Sequence, residues 1–281
     1  VQHSSSGRQS AGSNASLEAR RKTLKFITKE KRLHDRCHGQ ISLEPLLVRI
    51  LDTREFQRLR TLKQLGGCAF VYPDASHSRF EHSIGVAFLS RRMVEHLQAA
   101  EQRHGLPEGH APIDARDVTC VSLAGLVHDL GHGPFSHMFE EFVKQAREAA
   151  GETDHFEHED MSVAILELLL EKNDISLQKY MGTTEAEAAA DLAFVLNLIS
   201  GLPPGVPVPP ECGRPACKRF LFEIVANKRN GVYFLRLKYG YVATSCLFQC
   251  RFSALSRQVS TSIKSITFSE TRPQPSENPA L

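Results

Sequence analysis

Four histidines in this 281-residue chain stand where a histidine is costly. His82 shares an apolar stripe with Val86, Leu89, Met93 and Leu97, and His128 falls inside the apolar run Val118–Leu130. His158 opens a further stripe with Met161, Ile165 and Leu169. His132 follows His128 by one helical turn, a spacing that turns both imidazoles to one side. A buried neutral histidine satisfied by a backbone carbonyl accounts for any one of them. Four together, with Asp129 directly after His128, point to a metal site. Imidazole and carboxylate donors suit zinc, iron or manganese, and an open coordination position would hold water.

The elements that must position these residues read as helices. Pro45 suits a first helical turn, and Leu47, Ile50 and Leu51 repeat at helical spacing. Thr53 can cap a second helix running through Phe56, Leu59, Leu62 and Leu65 to a stop at Gly66-Gly67. After a turn at Pro73-Asp74, a third helix carries His82. Val118–Leu130 is apolar nearly all round, which predicts a buried central helix ending at Gly131. Phe135–Ala150 starts another, and the His158 stripe a further one. Residues 201–215 hold six of the 14 prolines and read as a loop, followed by a short helix over Phe220–Asn227. No alternating pattern is sustained before residue 231, so the expected fold class is all-α: a helical bundle around a metal site.

Both ends differ in kind from this body. Residues 1–22 are expected to be a disordered segment, and the first 16 are Ser-, Gly- and Asn-rich. Nothing in those first 16 has the apolar core of a secretory signal. Arg20–Arg32 is basic, compatible with a nuclear address, a phosphate contact or a solvated face. Residues 232–281 carry six basic residues against two acids and read as a divergent, poorly ordered tail.

Composition removes several classes of function. Lys plus Arg is 34 and Asp plus Glu is 32, a balance that argues against a histone-like coat for polyanions. No window approaches 18 uncharged apolar residues, so no membrane span is expected. Seven cysteines without a compact framework fit a reducing compartment, and Cys212/Cys217 with Cys246/Cys250 have the wrong spacing for zinc ribbons or fingers. No Gly-rich phosphate loop or nucleophile elbow is present.

The string His128-Asp129-Leu130-Gly131-His132 is not the His-Glu-x-x-His of zincins, since Asp follows the first histidine and Gly131 breaks the helix before the second. An adjacent His-Asp pair with an upstream His82 and a buried helix resembles the HD superfamily of metal-dependent phosphohydrolases. The segments ISLEPLLVRILDTREFQRLRTLKQLGG (41–67), SHSRFEHSIG (76–85), AGLVHDLGHGPFSHMF (124–139) and FEIVANKRNG (222–231) sharpen the match. They closely resemble the SAM-and-HD-domain deoxynucleoside triphosphate triphosphohydrolases over roughly residues 31–231, so 23–231 is read as one HD domain. No SAM domain is seen upstream.

The resemblance implies hydrolysis at the α-phosphorus of a deoxynucleoside triphosphate, releasing deoxynucleoside and inorganic triphosphate. It implies His82, His128 and Asp129 as metal ligands, with zinc, iron or manganese at the HD site and magnesium with the nucleotide. Arg79, His132 and His137 would contact the triphosphate, with His132 placed to protonate the leaving oxygen, and His158 would be a further catalytic histidine. Gln64 and Leu65 would meet the deoxyribose. Lys31, Asp52, Gln57 and Arg60 would hold GTP or dGTP as an activator at a separate site, coupled to assembly into a tetramer. Read without the resemblance, Arg79 beside Glu81 is a surface charge pair and His137 a helix-surface histidine. Asp52, Gln57 and Arg60 are then ordinary polar residues of a helix face. The family also suggests a nuclear location, and the basic segments allow contact with single-stranded nucleic acid.

The chain departs from the pattern at one point. The family completes its metal set with an aspartate soon after the segment seen here as 227–231, whereas here no acid follows until Glu270. The adjacent substrate-binding Lys and Tyr are missing too, as in a truncated or alternatively spliced form. Asp174 and Asp191 are the acids left to substitute. A catalytically impaired nucleotide-binding form that interacts with the full-length enzyme is the alternative reading.

Overall fold

The computed structural model describes residues 29–106, 108–152 and 156–229. The expected N-terminal disorder over 1–22 and the divergent tail over 232–281 lie outside the described residues. The helical bundle is present, preceded by a hairpin that the sequence reading did not anticipate. Strands β1 (Lys31–Asp35) and β2 (Gly39–Leu43) pair antiparallel, with Lys31 opposite Leu43. The Asp35 carboxylate closes the turn by accepting from the amides of Cys37 and His38, each at 2.8 Å, and Gly39 takes the positive φ the turn needs. The alternation is only five residues long on each side, too short to stand out from the helical patterns around it.

Helix α1 (Pro45–Leu51) has its proline in the first turn and buries Leu46, Leu47, Ile50 and Leu51. Thr53 caps α2 (Arg54–Gln57) by accepting from the Phe56 amide at 3.3 Å. This helix does not run on to Leu65. It tightens into a 3-10 turn over Arg58–Arg60, after which Lys63 bridges Ser78. The reason is tertiary: the Arg58 guanidinium donates to the carbonyls of Leu130 and His132, and the Arg79 amide takes the Leu62 carbonyl.

The two longest apolar patterns become the centre of the bundle. α3 (Arg79–His104) starts at a Ser78/Glu81 capping box and stops at Gly105, φ 77°. α4 (Ala115–Val127) starts at an Asp114/Asp117 box and is buried along most of its length. The pair packs closely where Gly125 faces Ala87, since a Cβ there would lie 3.2 Å from the Ala87 Cα. α4 ends at Val127 rather than at Gly131. Beyond it the carbonyl of His128 goes to Ser162, and those of Leu130 and His132 go to Arg58, so tertiary donors replace the next helical turn.

Helices α5 (His137–Ala149), α6 (His158–Lys172), α7 (Leu177–Met181) and α8 (Glu185–Ser200) follow, and α9 (Phe222–Val225) closes the described chain. α5 buries no residue, whereas Leu166 and Leu169 of α6 and Phe194, Val195 and Leu198 of α8 join one continuous core.

A buried ionic network locks α4 to α8 at the end away from His128. Asp191 is wholly buried and accepts from Arg116 and Arg214, at 2.9 and 2.8 Å. Arg214 also donates to Asp117 at 2.6 Å, and Lys218 reaches the same carboxylate. Asp191 is therefore consumed by structure and does not stand in as a metal ligand. Asp174 is exposed in the turn after α6, likewise away from the metal cluster. Replacing Asp191 by Ala removes the buried carboxylate shared by two guanidiniums, which keep only Glu187 and Asp117, and is expected to cost about 3 kcal/mol in urea unfolding, whereas Asp174→Asn should stay within about 0.5 kcal/mol.

Candidate active site

The site assembles where the first turn of α3, the turn after α4 and the starts of α5 and α6 meet. His82 and Arg79 come from the first turn of α3. His128 and Asp129 come from the C-terminal end of α4. Arg79 is not the surface residue that its neighbour Glu81 suggests: it is 2% exposed and donates to Asp129 Oδ2 at 2.6 Å. Glu81 is used instead as the capping acid of α3.

His82, His128 and Asp129 are all buried and present one ligand atom each within 4.8 Å of one another. His82 Nε2 lies 3.6 Å from Asp129 Oδ2, and His128 Nε2 lies 3.2 Å from Asp129 Oδ1. His128 Nδ1 is 2.8 Å from the Gly125 carbonyl, which holds a proton on that nitrogen and leaves the Nε2 lone pair facing Asp129. Among the described residues, His128 Nε2 and Asp129 Oδ1 have no hydrogen-bond partner. Ligand atoms around a tetrahedral zinc-sized ion sit about 3.4 Å apart, so this spacing and donor set fit a divalent metal. Burial by itself would raise the Asp129 carboxyl. His128, Arg79, His82 and His132 outweigh it and hold that carboxyl well below the usual carboxylate range.

A second cluster adjoins the first. His132, His137 and His158 gather around Glu140, with Nδ1 of each directed at its carboxylate: 3.5 Å for His132, 3.0 Å for His137 and 2.7 Å for His158. The His132 and His158 rings are stacked at 3.9 Å, and His132 Nε2 reaches to 3.5 Å from Asp129 Oδ1, linking the two clusters. His137 is 74% exposed yet belongs to the group. Glu140 was missed in the sequence. Its only signal was its place three residues after His137, on the same side of a helix.

Backbone geometry makes this meeting possible. Gly131 packs directly on the start of α6: a Cβ there would overlap the His158 carbonyl oxygen and come within 2.6 Å of the Ser162 amide nitrogen. Ser162, also missed, accepts from the Gly131 amide at 2.8 Å and donates to the His128 carbonyl at 2.6 Å. Phe135 and Ser136 both adopt positive φ, 64° and 60°, immediately before His137. Such strain in non-glycine residues is retained where surroundings enforce it. Here the Ser136 hydroxyl donates to the Gln64 carbonyl at 3.0 Å, tying the Gln64-Leu65 loop to the histidine cluster. Gln64 is buried and Leu65 half-buried.

The four residues expected to hold an activating nucleotide fall into two pairs joined by a short stretch of backbone. Lys31 donates to Asp52 at 2.8 Å, and Arg60 to Gln57 at 2.6 Å, while Gln57 donates to the Leu51 carbonyl at 2.7 Å. Arg60 also lies 3.5 Å over the Phe80 ring.

Burial pushes the His132 imidazole down to about 2, against the pull of the Asp129 carboxylate. In the free protein it is therefore a neutral ring. The unfolded chain takes this proton near pH 6.5 and the folded chain refuses it until about pH 2, so acid favours unfolding across that interval. Stability of the metal-free chain should fall below about pH 6.5, and His132→Gln should remove about one proton, near 1.4 kcal/mol per pH unit, from the slope of urea stability between pH 6 and 4. Gly131→Ala should lower stability by about 3 kcal/mol or more, whereas Gly67→Ala, with only a Phe70 ring carbon 3.8 Å away, should be nearly neutral in the same melts.

Residues 79–194 match the HD domain family. The chain is 44% identical over 246 residues to the deoxynucleoside triphosphate triphosphohydrolase SAMHD1 of Mus musculus, covering 83% of this chain and 35% of that protein. Its identity to the SAMHD1 homolog of Dictyostelium discoideum is 39% over 202 residues, or 72% of this chain and 34% of the relative. A putative HD domain-containing protein of Acanthamoeba polyphaga mimivirus is 35% identical over 181 residues, 59% of this chain and 38% of the relative. The fold and the His82–His128–Asp129 cluster are thus those of an HD-domain protein. The chain is similar to the SAMHD1 proteins over most of its own length, and it spans about a third of theirs.

Proposed function

We propose that this chain is a metal-dependent hydrolase of deoxynucleoside triphosphates, activated by a guanine nucleotide. The observation that carries the reading is the Arg79–Asp129 contact at 2.6 Å. It places a buried guanidinium, suited to phosphate, on the same carboxylate that faces both histidines of the HD cluster. A divalent metal held by His82, His128 and Asp129 would supply Lewis acidity to water and to a phosphoryl oxygen.

The chain's own residues account for the rest of the chemistry. Arg79 and the imidazoles of His132 and His137 offer N–H donors to a triphosphate, neutralising charge that spreads over its oxygens. Water attacks the α-phosphorus, the bond to the 5′ oxygen breaks, and that oxygen leaves with a proton as the deoxynucleoside. His132 is placed by the resemblance to give that proton, and His137 and His158, both facing the Glu140 carboxylate, stand beside it. Gln64 and Leu65, fastened to the same loop through Ser136, would line the deoxyribose.

A second reading is a nucleotide-binding form that turns over poorly and acts on a longer relative. It is favoured by the absence of any acid between Gly231 and Glu270, and by a metal cluster of three ligands among the described residues. Lys31, Asp52, Gln57 and Arg60 serve both readings. Asp52 can accept from the guanine edge, and Lys31 and Arg60 can meet phosphates. Oligomer formation and a nuclear location belong to the same proposal.

The deciding assay follows inorganic triphosphate from dGTP, with GTP and a divalent metal present. The enzyme reading expects release that drops more than about 100-fold in His128→Ala/Asp129→Ala. No release above that variant, from a folded chain that still binds GTP, supports the second reading. In either case Asp52→Asn should weaken GTP binding at least about tenfold, near 1.4 kcal/mol, in calorimetric titration.

A further inference from the structure

The proline-rich loop between α8 and α9 takes no part in the chemistry above. Five of the eight residues 203–210 are proline, and none of the eight is charged. Prolines that only stiffened the chain could as well pack inward. Here Pro203, Pro204, Pro207 and Pro210 are exposed, and Val206 is 42% exposed. Leu202 and Val208 do the opposite and pack on the core, so they staple the loop down while the proline rings face solvent.

The backbone is set as well. Gly205, at φ 77°, makes a turn in which the Val206 amide donates to the Pro203 carbonyl. Beyond it the rings of Pro207, Pro209 and Pro210 fix φ at about −65°, and the prolines that follow Val206 and Val208 confine both valines to extended backbone. Pro209 has φ −65° and ψ 142°, the values of a polyproline II helix. Such a helix repeats every three residues, so Pro207 and Pro210 lie on one face, about 9 Å apart. It makes no internal hydrogen bonds, and among the described residues no donor meets the carbonyl of Pro207 or Val208. The body of the protein holds the loop in this form. Arg219 donates to the carbonyl of Pro203 at 2.9 Å and to that of Val206. Gly213 lies so close to α8 that a Cβ would overlap the Ala190 carbonyl oxygen, and Arg214 is fixed by Asp117 and Asp191. The ordering that usually weakens binding of an extended segment is thus done by the fold beforehand.

We propose that residues 206–210 are a docking site for a separate protein domain that reads polyproline II through an aromatic-lined, uncharged groove. Prolines spaced by three residues are what such grooves accept, and the unmet carbonyls offer acceptors to the hydroxyl and indole donors along them. The absence of charge over residues 203–210 matches a groove that selects by shape and ring contact. Because Gly213 and Arg214 tie the loop to the end of α4 and α8 away from His128, a domain bound there leaves the histidine site open. The loop brings a partner to the chain, and its role does not depend on the catalytic reading.

The test exposes the full chain to purified SH3, WW and EVH1 domains immobilised side by side, with surface plasmon resonance as the readout. At least one class should bind, and poly-L-proline should displace the chain from it. Pro207→Ala/Pro210→Ala should weaken the complex at least about tenfold. Both prolines are exposed, so the variant leaves the core intact, which circular dichroism checks. Displacement by poly-L-proline is read on the wild-type chain and stands whatever the variant does. Pro215→Ala, beyond the buried Cys212, should bind as wild type does. Binding by none of the three classes overturns the proposal. So does a complex that resists poly-L-proline or survives Pro207→Ala/Pro210→Ala, since the contact would then lie elsewhere. Equal loss in Pro215→Ala overturns it too, by tracing the binding to the general shape of the loop.

Discussion

A single hydrogen atom in place of a side chain at Gly131 sets the geometry of everything around it. With no Cβ, the turn after α4 lies against the first turn of α6, and Ser162 stitches the two backbones by accepting from one and donating to the other. His158 is thereby brought to stacking distance from His132. The same contact relieves α4 of continuing as a helix, since the carbonyls it leaves open are met by Ser162 and Arg58. Protein interiors tolerate little extra volume, so a contact this tight leaves no room for compromise between the helices.

Asp129 is the electrostatic counterpart of that steric constraint. It is wholly buried, a setting that favours the neutral acid, yet three histidines and Arg79 surround it. The charge is kept by neighbours arriving from α3 and α4 together. The α3–α4 interface, closest at Gly125 and Ala87, is thus part of the site even though it lies a turn or more away from the ligands. The ionic network of Asp117, Asp191, Arg116, Arg214 and Lys218 secures the opposite end of α4 and uses up the acid that sequence alone left available for the metal.

Much of this was legible before any coordinates. Periodicity located α3, α4 and α6, the Thr53 cap obeyed local rules, and the placing of histidines on apolar faces exposed the cluster of His82, His128 and Asp129. What stayed hidden depends on contacts distant in sequence. Arg79 looks like half of a surface pair until Asp129, fifty residues on, takes its guanidinium. Glu140 and Ser162 are unremarkable polar residues of amphipathic helices, given meaning by the turn at Gly131. The second helix was expected to reach Leu65 because its apolar spacing continues, but Arg58 is drawn across to the Leu130 and His132 carbonyls and tightens it. The hairpin was overlooked because two five-residue strands offer little periodicity to detect.

The two histidine clusters also differ in when they can exist. His82, His128 and Asp129 sit on neighbouring helices and are all synthesised before Gly131. The Glu140 cluster waits for α5 and for the first residue of α6. The ligands of the first cluster are thus complete in the sequence before the second has begun. The hydrogen-only side of Gly131 is the latch against which the start of α6 rests, so the later half of the site is built on the earlier one.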